Sequence, residues 1–314
     1  MKATVGGATG RRHLPWSVRL VRARKLVPAY LMMAPFLILF VVFALWPLLS
    51  SFYMSLSEYQ GTRAPVFIGL ANYRTLFADR RMGTAVYNIV RYVLLAVSLN
   101  TAVGLLLALV FQSQGRLSQL SRTLLFMPSI TSGIASLIIW RYVLRSDKYG
   151  LLNVLLYAVT GRTVPFLGRP QYFLPIFVVL SLWGSCGLIM MLFLAGLRSI
   201  PRDFYEAAAV DGASPWDRFW GITLPLLRPV LLYVVCTGMI SGFQMFDMAY
   251  VLPGGGGQTI GGTLDAALTP VLYLYYLGFL RLKMGLASAL AWVLFAIIIV
   301  LTMLNLRVGR FREQ

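Results

Sequence analysis

The chain has 314 residues, of which 59% are hydrophobic and only 12% charged. So little polar surface cannot cover a water-soluble body of this size, which excludes an ordinary soluble enzyme and leaves a membrane domain of several spans. The 28 Lys and Arg against 10 Asp and Glu fall between apolar runs and in a basic N-terminal tail, not in a sustained stripe interleaved with aromatics; this argues for membrane topology and against nucleic acid as a partner.

A helix needs about 20 apolar residues to cross a bilayer core, where no water satisfies free backbone groups. Six segments reach or approach that length: Leu26–Ser57, Tyr92–Phe111, Thr123–Trp140, Tyr172–Leu197, Pro229–Phe246 and Met284–Leu306. The first carries no charge and lacks a convincing small-residue cleavage site, so it reads as a retained anchor. The third is shorter and polar in the middle. The fifth is expected to continue past Asp247 towards Tyr250.

Lys2, Arg11, Arg12, Arg19, Arg22, Arg24 and Lys25 place the N-terminus in the cytoplasm, and six crossings return Arg307, Arg310 and Arg312 to the same side. The predicted organisation is therefore a cytoplasmic tail (1–28), a first helix with an external segment (29–84), a core with five helices and a cytoplasmic loop at 198–228 (85–306), and a cytoplasmic tail (307–314). Ile68–Phe77 and Leu151–Val159 read as short external interfacial helices. His13 sits in the basic tail, and Cys186 and Cys236 lie inside apolar runs; none has the spacing of a metal site or a disulfide framework.

The loop between the fourth and fifth spans reads RSIPRDFYEAAAVDGASPWDRFWGITLPLLRP. Pro201 suits a first helical position, and Asp203 complements the helix dipole in the first turn. Ala207, Ala208 and Ala209 favour helix, which Gly212 then ends by supplying a left-handed residue. A second short helix follows, with Ser214 as cap, Pro215 in first position and Asp217 reaching back. Trp216, Phe219 and Trp220 share one of its faces, and Pro225 and Pro229 stop it. Two helices joined at a glycine form an angled lever. On spacing alone it equally fits an amphipathic connector resting at the lipid interface.

Glu206-Ala207-Ala208, Asp211-Gly212-Ala213, Ile222, Leu224-Pro225 and Pro229 resemble, without a gap, the EAA loop of binding-protein-dependent ABC permeases. Phe246-Asp247, Tyr250-Val251-Leu252, Gly285 to Ala289 and Phe67 to Tyr73 extend the likeness to maltose-type (MalF-like) and glycerol-phosphate-type carbohydrate permeases. Pro253-Gly254-Gly255-Gly256-Gly257 stands where those permeases have Thr-Gly-Gly-Gly-Pro, a change confined to a loop. The resemblance implies an all-α integral membrane protein with six transmembrane helices and the type I (MetI-like) ABC importer permease fold. It further implies that Arg202, Asp203, Tyr205, Glu206, Ala207, Ala208, Asp211, Gly212 and Ala213 dock a cytoplasmic ATPase, with Glu206 as the polar contact and Gly212 as the bend. The implied partners are two ABC ATPase subunits that bind ATP and Mg, a second homologous permease forming a heterodimer, an extracytoplasmic solute-binding protein, and membrane lipid. No G-x-x-x-x-G-K-[ST] phosphate loop occurs in the chain, so this subunit is expected to hold no nucleotide or other cofactor itself.

Substrate contacts are sought inside the spans, where an ionisable residue is costly. On a continuous helix Phe243, Gln244, Asp247 and Tyr250 would share one face, suited to sugar hydroxyls and ring faces. Asp247 also fits a place at the water boundary, roughly 27 Å along the helix from Pro229 at the standard rise. Trp183 is a further candidate, with packing as its alternative. Asn100 and Ser98 fit either a path lining or a helix–helix hydrogen bond. The expected function is import of a sugar or sugar-like solute, with a glycerol-phosphate permease as alternative. An ion-driven carrier fits less well because no repeat appears and Asp247 is the single acid within a span. A membrane enzyme would need clustered His, Asp or Glu.

Overall fold

The computed structural model describes residues 31–113, 115–131, 133–254 and 260–310. The basic N-terminal cluster with His13, the start of the first predicted span, most of the Gly254–Gly257 run and Arg312 lie outside the described residues. The chain divides into two units, Met1–Tyr53 and Met54–Gln314, described in turn.

The described part of the first unit belongs to helix α1 (Leu31–Ser55). Its backbone passes through one π turn at Val41–Leu45. Large apolar side chains from Leu31 to Leu49 are exposed, as suits a helix whose solvent is hydrocarbon.

The second unit begins with a two-residue antiparallel ladder, β1 (Ser57–Glu58) with β2 (Val66–Phe67). Helix α2 (Ala71–Ala78) follows, and the Asn72 amide donates to the Ser55 and Ser57 carbonyls at 3.0 and 2.9 Å. The Asp79 carboxylate accepts from the Arg81 amide at 2.8 Å and caps α3 (Arg80–Val110). That cap starts α3 three turns before the predicted Tyr92, because the polar first turns need no hydrocarbon around them.

Next come α4 (Arg116–Ile130), α5 (Gly133–Val143), α6 (Leu151–Thr160) and α7 (Pro170–Ser199). Past the lever lie α10 (Arg228–Phe243), α11 (Asp247–Val251), α12 (Pro270–Leu280) and α13 (Met284–Arg310). Helix α3 packs along α7 and α10, and α13 packs on α10 and α12. Phe173 and Leu290 anchor the larger core, Met190 and Phe193 the smaller. Gly187 lets α4 reach α7, since a Cβ there would press into the Leu125 carbonyl and the Phe126 Cα.

Among the described residues five helices are long and apolar enough to cross a membrane, and α4 with α5 makes a sixth crossing only as a broken pair bent by 96°. The predicted continuous span Thr123–Trp140 is thus corrected. Pro128 occupies the last turn of α4, Thr131 is extended at ψ 142°, and Gly133 begins α5. A run of proline, hydroxyl residues and glycine holds the helix ladder poorly. The fifth span runs on past Asp247 to Val251, as expected, with a local interruption between α10 and the short α11, where Gln244 lies at φ −90° and Phe246 at φ −123°.

At the N-terminal end of α3, the Arg81 guanidinium donates to both Asp265 oxygens, at 2.8 and 2.6 Å, and to the Ile260 carbonyl at 3.2 Å. It also lies over the rings of Tyr273 and Tyr276, and the Tyr273 hydroxyl bonds to Asp79. The Asn88 amide holds the Asp265 and Leu268 carbonyls at 2.9 and 3.1 Å. These bonds fix Leu264 and Asp265 in the left-handed region, at φ 55° and 56°. Such a conformation costs about 1–2 kcal/mol for each non-glycine residue, so the surrounding bonds must overdetermine it.

Candidate functional site

The lever forms where local chemistry directs it. Helix α8 (Arg202–Val210) has Pro201 as its N-cap rather than its first helical residue, because Pro201 takes ψ 139°. At its other end the Ala213 amide donates to the Ala208 carbonyl at 2.9 Å and the Gly212 amide to Ala209 at 3.2 Å. This is the Schellman pair, and it places Gly212 at φ +76° as the sequence led one to expect.

Helix α9 (Pro215–Arg218) opens on a capping box in which the Asp217 amide donates to Ser214 Oγ at 3.2 Å and the Asp217 carboxylate accepts from the Ser214 amide at 3.1 Å. The Ser214 hydroxyl and amide hold the Asp217 carboxyl below its ordinary range. This contribution is present above the unfolded carboxylate range and is lost as pH falls through the lowered value. Ser214→Ala is expected to cost about 1 kcal/mol of local helix stability. Faster amide exchange at Trp216 and Asp217 at neutral pH would show it; unchanged protection would remove the cap from the account.

The polypeptide does not stop at Pro225. It continues through a π turn (Phe219–Thr223) and the turn Leu224–Leu226, and breaks only at Leu227. Proline is tolerated because it stands near the start of that last turn, where its missing N–H is not needed. A clip closes the elbow: Tyr205 Oη lies 3.0 Å from Thr223 Oγ1, and Arg218 Nε donates to the Ala213 carbonyl at 2.9 Å. Trp216, Phe219 and Trp220 meet as expected, with centroids 5.4–6.1 Å apart. Asp203, Glu206 and Asp211 are exposed, and none forms an ion pair among the described residues. The lever therefore presents a small-residue helix face edged by unpaired acids.

A second site lies inside the helical body, a cavity of about 770 Å³ walled by α3, α4, α5, α7 and α10. Trp140 and Trp183 meet edge to face in its wall with centroids 5.4 Å apart. Gln244, in the break after α10, and Asp247, opening α11, line the same space, and Asp247 is the single charged residue among its lining. Phe243 is instead buried in the core, and Tyr250 stacks on Phe246 at 5.3 Å and meets Tyr275. The four residues expected on one face are thus parted by the helix break, and two of them reach the cavity with Trp183.

Sequence reasoning missed Trp140, Thr101 and a set of small hydroxyl side chains that includes Ser136 and Ser181. Their signal was the recurrence of Ser and Thr within apolar spans. Asn100 serves both roles considered for it, donating to Ser181 Oγ at 2.9 Å and lining the cavity, whereas Ser98 is exposed outside the lining. Asn100 Oδ1 and Thr101 Oγ1 are buried without a hydrogen-bond partner. Helical threonines elsewhere, such as Thr84 and Thr237, donate to the carbonyl four residues back at 3.1 and 2.7 Å. Leaving a buried polar atom unpaired costs about 1–3 kcal/mol, so these two oxygens set the Asn100–Thr101 turn apart from the other helical threonines among the described residues.

Residues 100–312 match the family described as binding-protein-dependent transport system inner membrane component. The trehalose/maltose transport system permease of Thermococcus litoralis is 34% identical over 287 residues, covering 91% of this chain and 94% of that one. The arabinooligosaccharides transport system permease of Bacillus subtilis is 33% identical over 302 residues, covering 94% and 92%. In structure, the chain is similar to one in a bacterial ABC transporter that imports the acidic polysaccharide alginate, with a TM-score of 0.80 and 23% identity over 94% of this chain and 100% of that one.

Proposed function

The chain belongs to the family of binding-protein-dependent transport inner membrane components, as a non-catalytic permease subunit of an ABC importer, and on that premise we propose that its cargo is a di- or oligosaccharide. The relatives named for trehalose and maltose and for arabinooligosaccharides support this class. The observation that carries it within this chain is the inner cavity, lined by paired tryptophans, by Gln244 and hydroxyl side chains such as Ser136 and Ser181, and by a lone carboxylate, Asp247. Aromatic faces take the apolar faces of a sugar, and amide, hydroxyl and carboxylate groups take its hydroxyls. A glycerol phosphate ester fits less well, because Asp247 would repel a dianion and no cation lines the space.

A second homologous permease would complete the path, an extracytoplasmic binding protein would deliver the sugar, and two ATPase subunits would bind ATP and Mg. The lever supports attachment of an ATPase through Arg202 to Ala213, with Glu206 projecting freely for a polar contact. On this reading the lever is cytoplasmic and, with four crossings before it and two after, both termini would be cytoplasmic too.

The test is uptake of labelled trehalose, maltose, arabinotriose and glycerol 3-phosphate by proteoliposomes holding the whole importer, ATP and its binding protein. One of the sugars is expected to accumulate, and accumulation of glycerol 3-phosphate alone would reject the sugar assignment. Trp183→Ala and Asp247→Asn are each expected to raise KM for that sugar about ten-fold, the scale of one charge-assisted hydrogen bond or one large aromatic contact. Unchanged KM in both variants would remove these residues from the path.

A further inference from the structure

A second cavity, of about 560 Å³, lies near the N-terminal ends of α3 and α7, lined also by Leu264 and Ala266–Thr269. Helix α7 begins there at Pro170 and ends at the lever, so this vestibule opens on the face opposite the ATPase attachment. Its polar lining includes Tyr87, Asn88, Arg91 and Gln171, with no acid. Arg91 lies 5.1 Å over the Tyr87 ring and pairs with no carboxylate among the described residues. Gln171 is exposed, and Asn88 spends its amide donor on the Asp265 and Leu268 carbonyls. Both cavities fall in the roughly 300–1,000 Å³ range of small-molecule sites.

Tyr92 and Met245 line both cavities. Each is buried; Tyr92 meets Phe177 edge to face at 6.4 Å, and Phe177 lines the outer cavity. Met245 lies in the break between α10 and α11, where its amide donates to Gly242 at 3.1 Å and its carbonyl accepts from Thr269 Oγ1 at 2.9 Å. With the backbone held by those bonds, the flexible thioether can still change rotamer at little cost.

Resting on the sugar-import reading, we propose that the outer vestibule is a second solute-holding site, taking one hydroxyl-rich, uncharged sugar ring. Tyr92 and Met245 are the partition that separates it from the inner cavity. Tyr87 offers the ring face, and Arg91 and Gln171 offer donors to vicinal hydroxyls. Displacing Met245 joins the two spaces, so the solute passes from one to the other without crossing a packed core.

The experiment uses the whole importer in proteoliposomes, with variants that still co-purify with the ATPase subunits. For whichever of maltose, trehalose or arabinotriose the unaltered complex imports, Arg91→Gln with Gln171→Ala is expected to raise KM about five-fold at unchanged maximal rate, the scale of one weak polar contact. Unchanged KM overturns the holding site. Tyr92→Ala with Met245→Ala is expected to release trapped potassium ions without ATP, about ten-fold faster than the unaltered complex, since a packed barrier has been removed. A liposome as tight as the unaltered one overturns the partition. If no sugar is imported yet the double alanine variant leaks ions, the cargo assignment fails while the partition stands.

Discussion

With valine in place of Gly212, the assembled importer is expected to import sugar roughly ten-fold more slowly while its ATPases keep hydrolysing ATP, since a β-branched residue at positive φ costs about 1–2 kcal/mol and the bend would shift to relieve it. No atom lies within 4 Å of a Cβ built at Gly212, so the strain is wholly in the backbone at φ +76°. The Schellman bonds of Gly212 and Ala213 and the Tyr205–Thr223 clip hold α8 at one angle to α9. Changing that angle moves Glu206 and Ala207 relative to α9 and so misaligns the face proposed to meet an ATPase. Gly212→Asn is the control, because asparagine tolerates the left-handed region. It is expected to restore most of the import. Equal loss in the valine and asparagine variants would show that something other than the bend matters.

The second large effect is expected at Gly187, where alanine should lower the thermal midpoint of the purified protein and valine should prevent stable assembly. A Cβ at this position meets backbone atoms of Leu125 and Phe126, not the end of a movable side chain. Relief therefore requires α4 to move away from α7. Overpacking of this kind costs about 1–3 kcal/mol and at times more. Gly184, one turn earlier on the same helix, has open space around it. There alanine should be neutral or stabilising, because an unpacked glycine costs a helix about 1 kcal/mol relative to alanine. Matching melting shifts for the two alanine variants would refute the close contact.

The features legible in the sequence were those governed by neighbouring residues. Gly212 ends a helix because of its own φ, and Ser214 and Asp217 cap one because they are three residues apart. Long apolar runs become helices for equally local reasons, so most spans stood close to where they were read. The breaks at Thr131 and at Gln244–Phe246 were only partly legible: Pro128 and the hydroxyl residues after it weaken the helix ladder, but neither they nor Gln244 fix where the chain leaves it. What settles the matter is packing against other helices, such as Thr269 reaching the Met245 carbonyl. The same holds for the inner cavity. Trp183 was a candidate by type, but its partner Trp140 and the unsatisfied Thr101 oxygen emerge only when α3, α5 and α7 meet.

The clamp of Arg81 and Asn88 on residues 260–268 bears on how the sidedness of this chain can be mapped. Epitope or protease-site insertions that report which face of a bilayer a loop occupies need a stretch that yields without disturbing its surroundings. The segment after the fifth span invites such an insertion on length and glycine content, yet its backbone is bolted to α3 through Asp265 and Leu268. The exposed residues Thr62–Ala64 in the turn between β1 and β2, beyond the Tyr59 carbonyl that the Gly285 amide holds at 3.1 Å, are the better insertion point for a topology reporter.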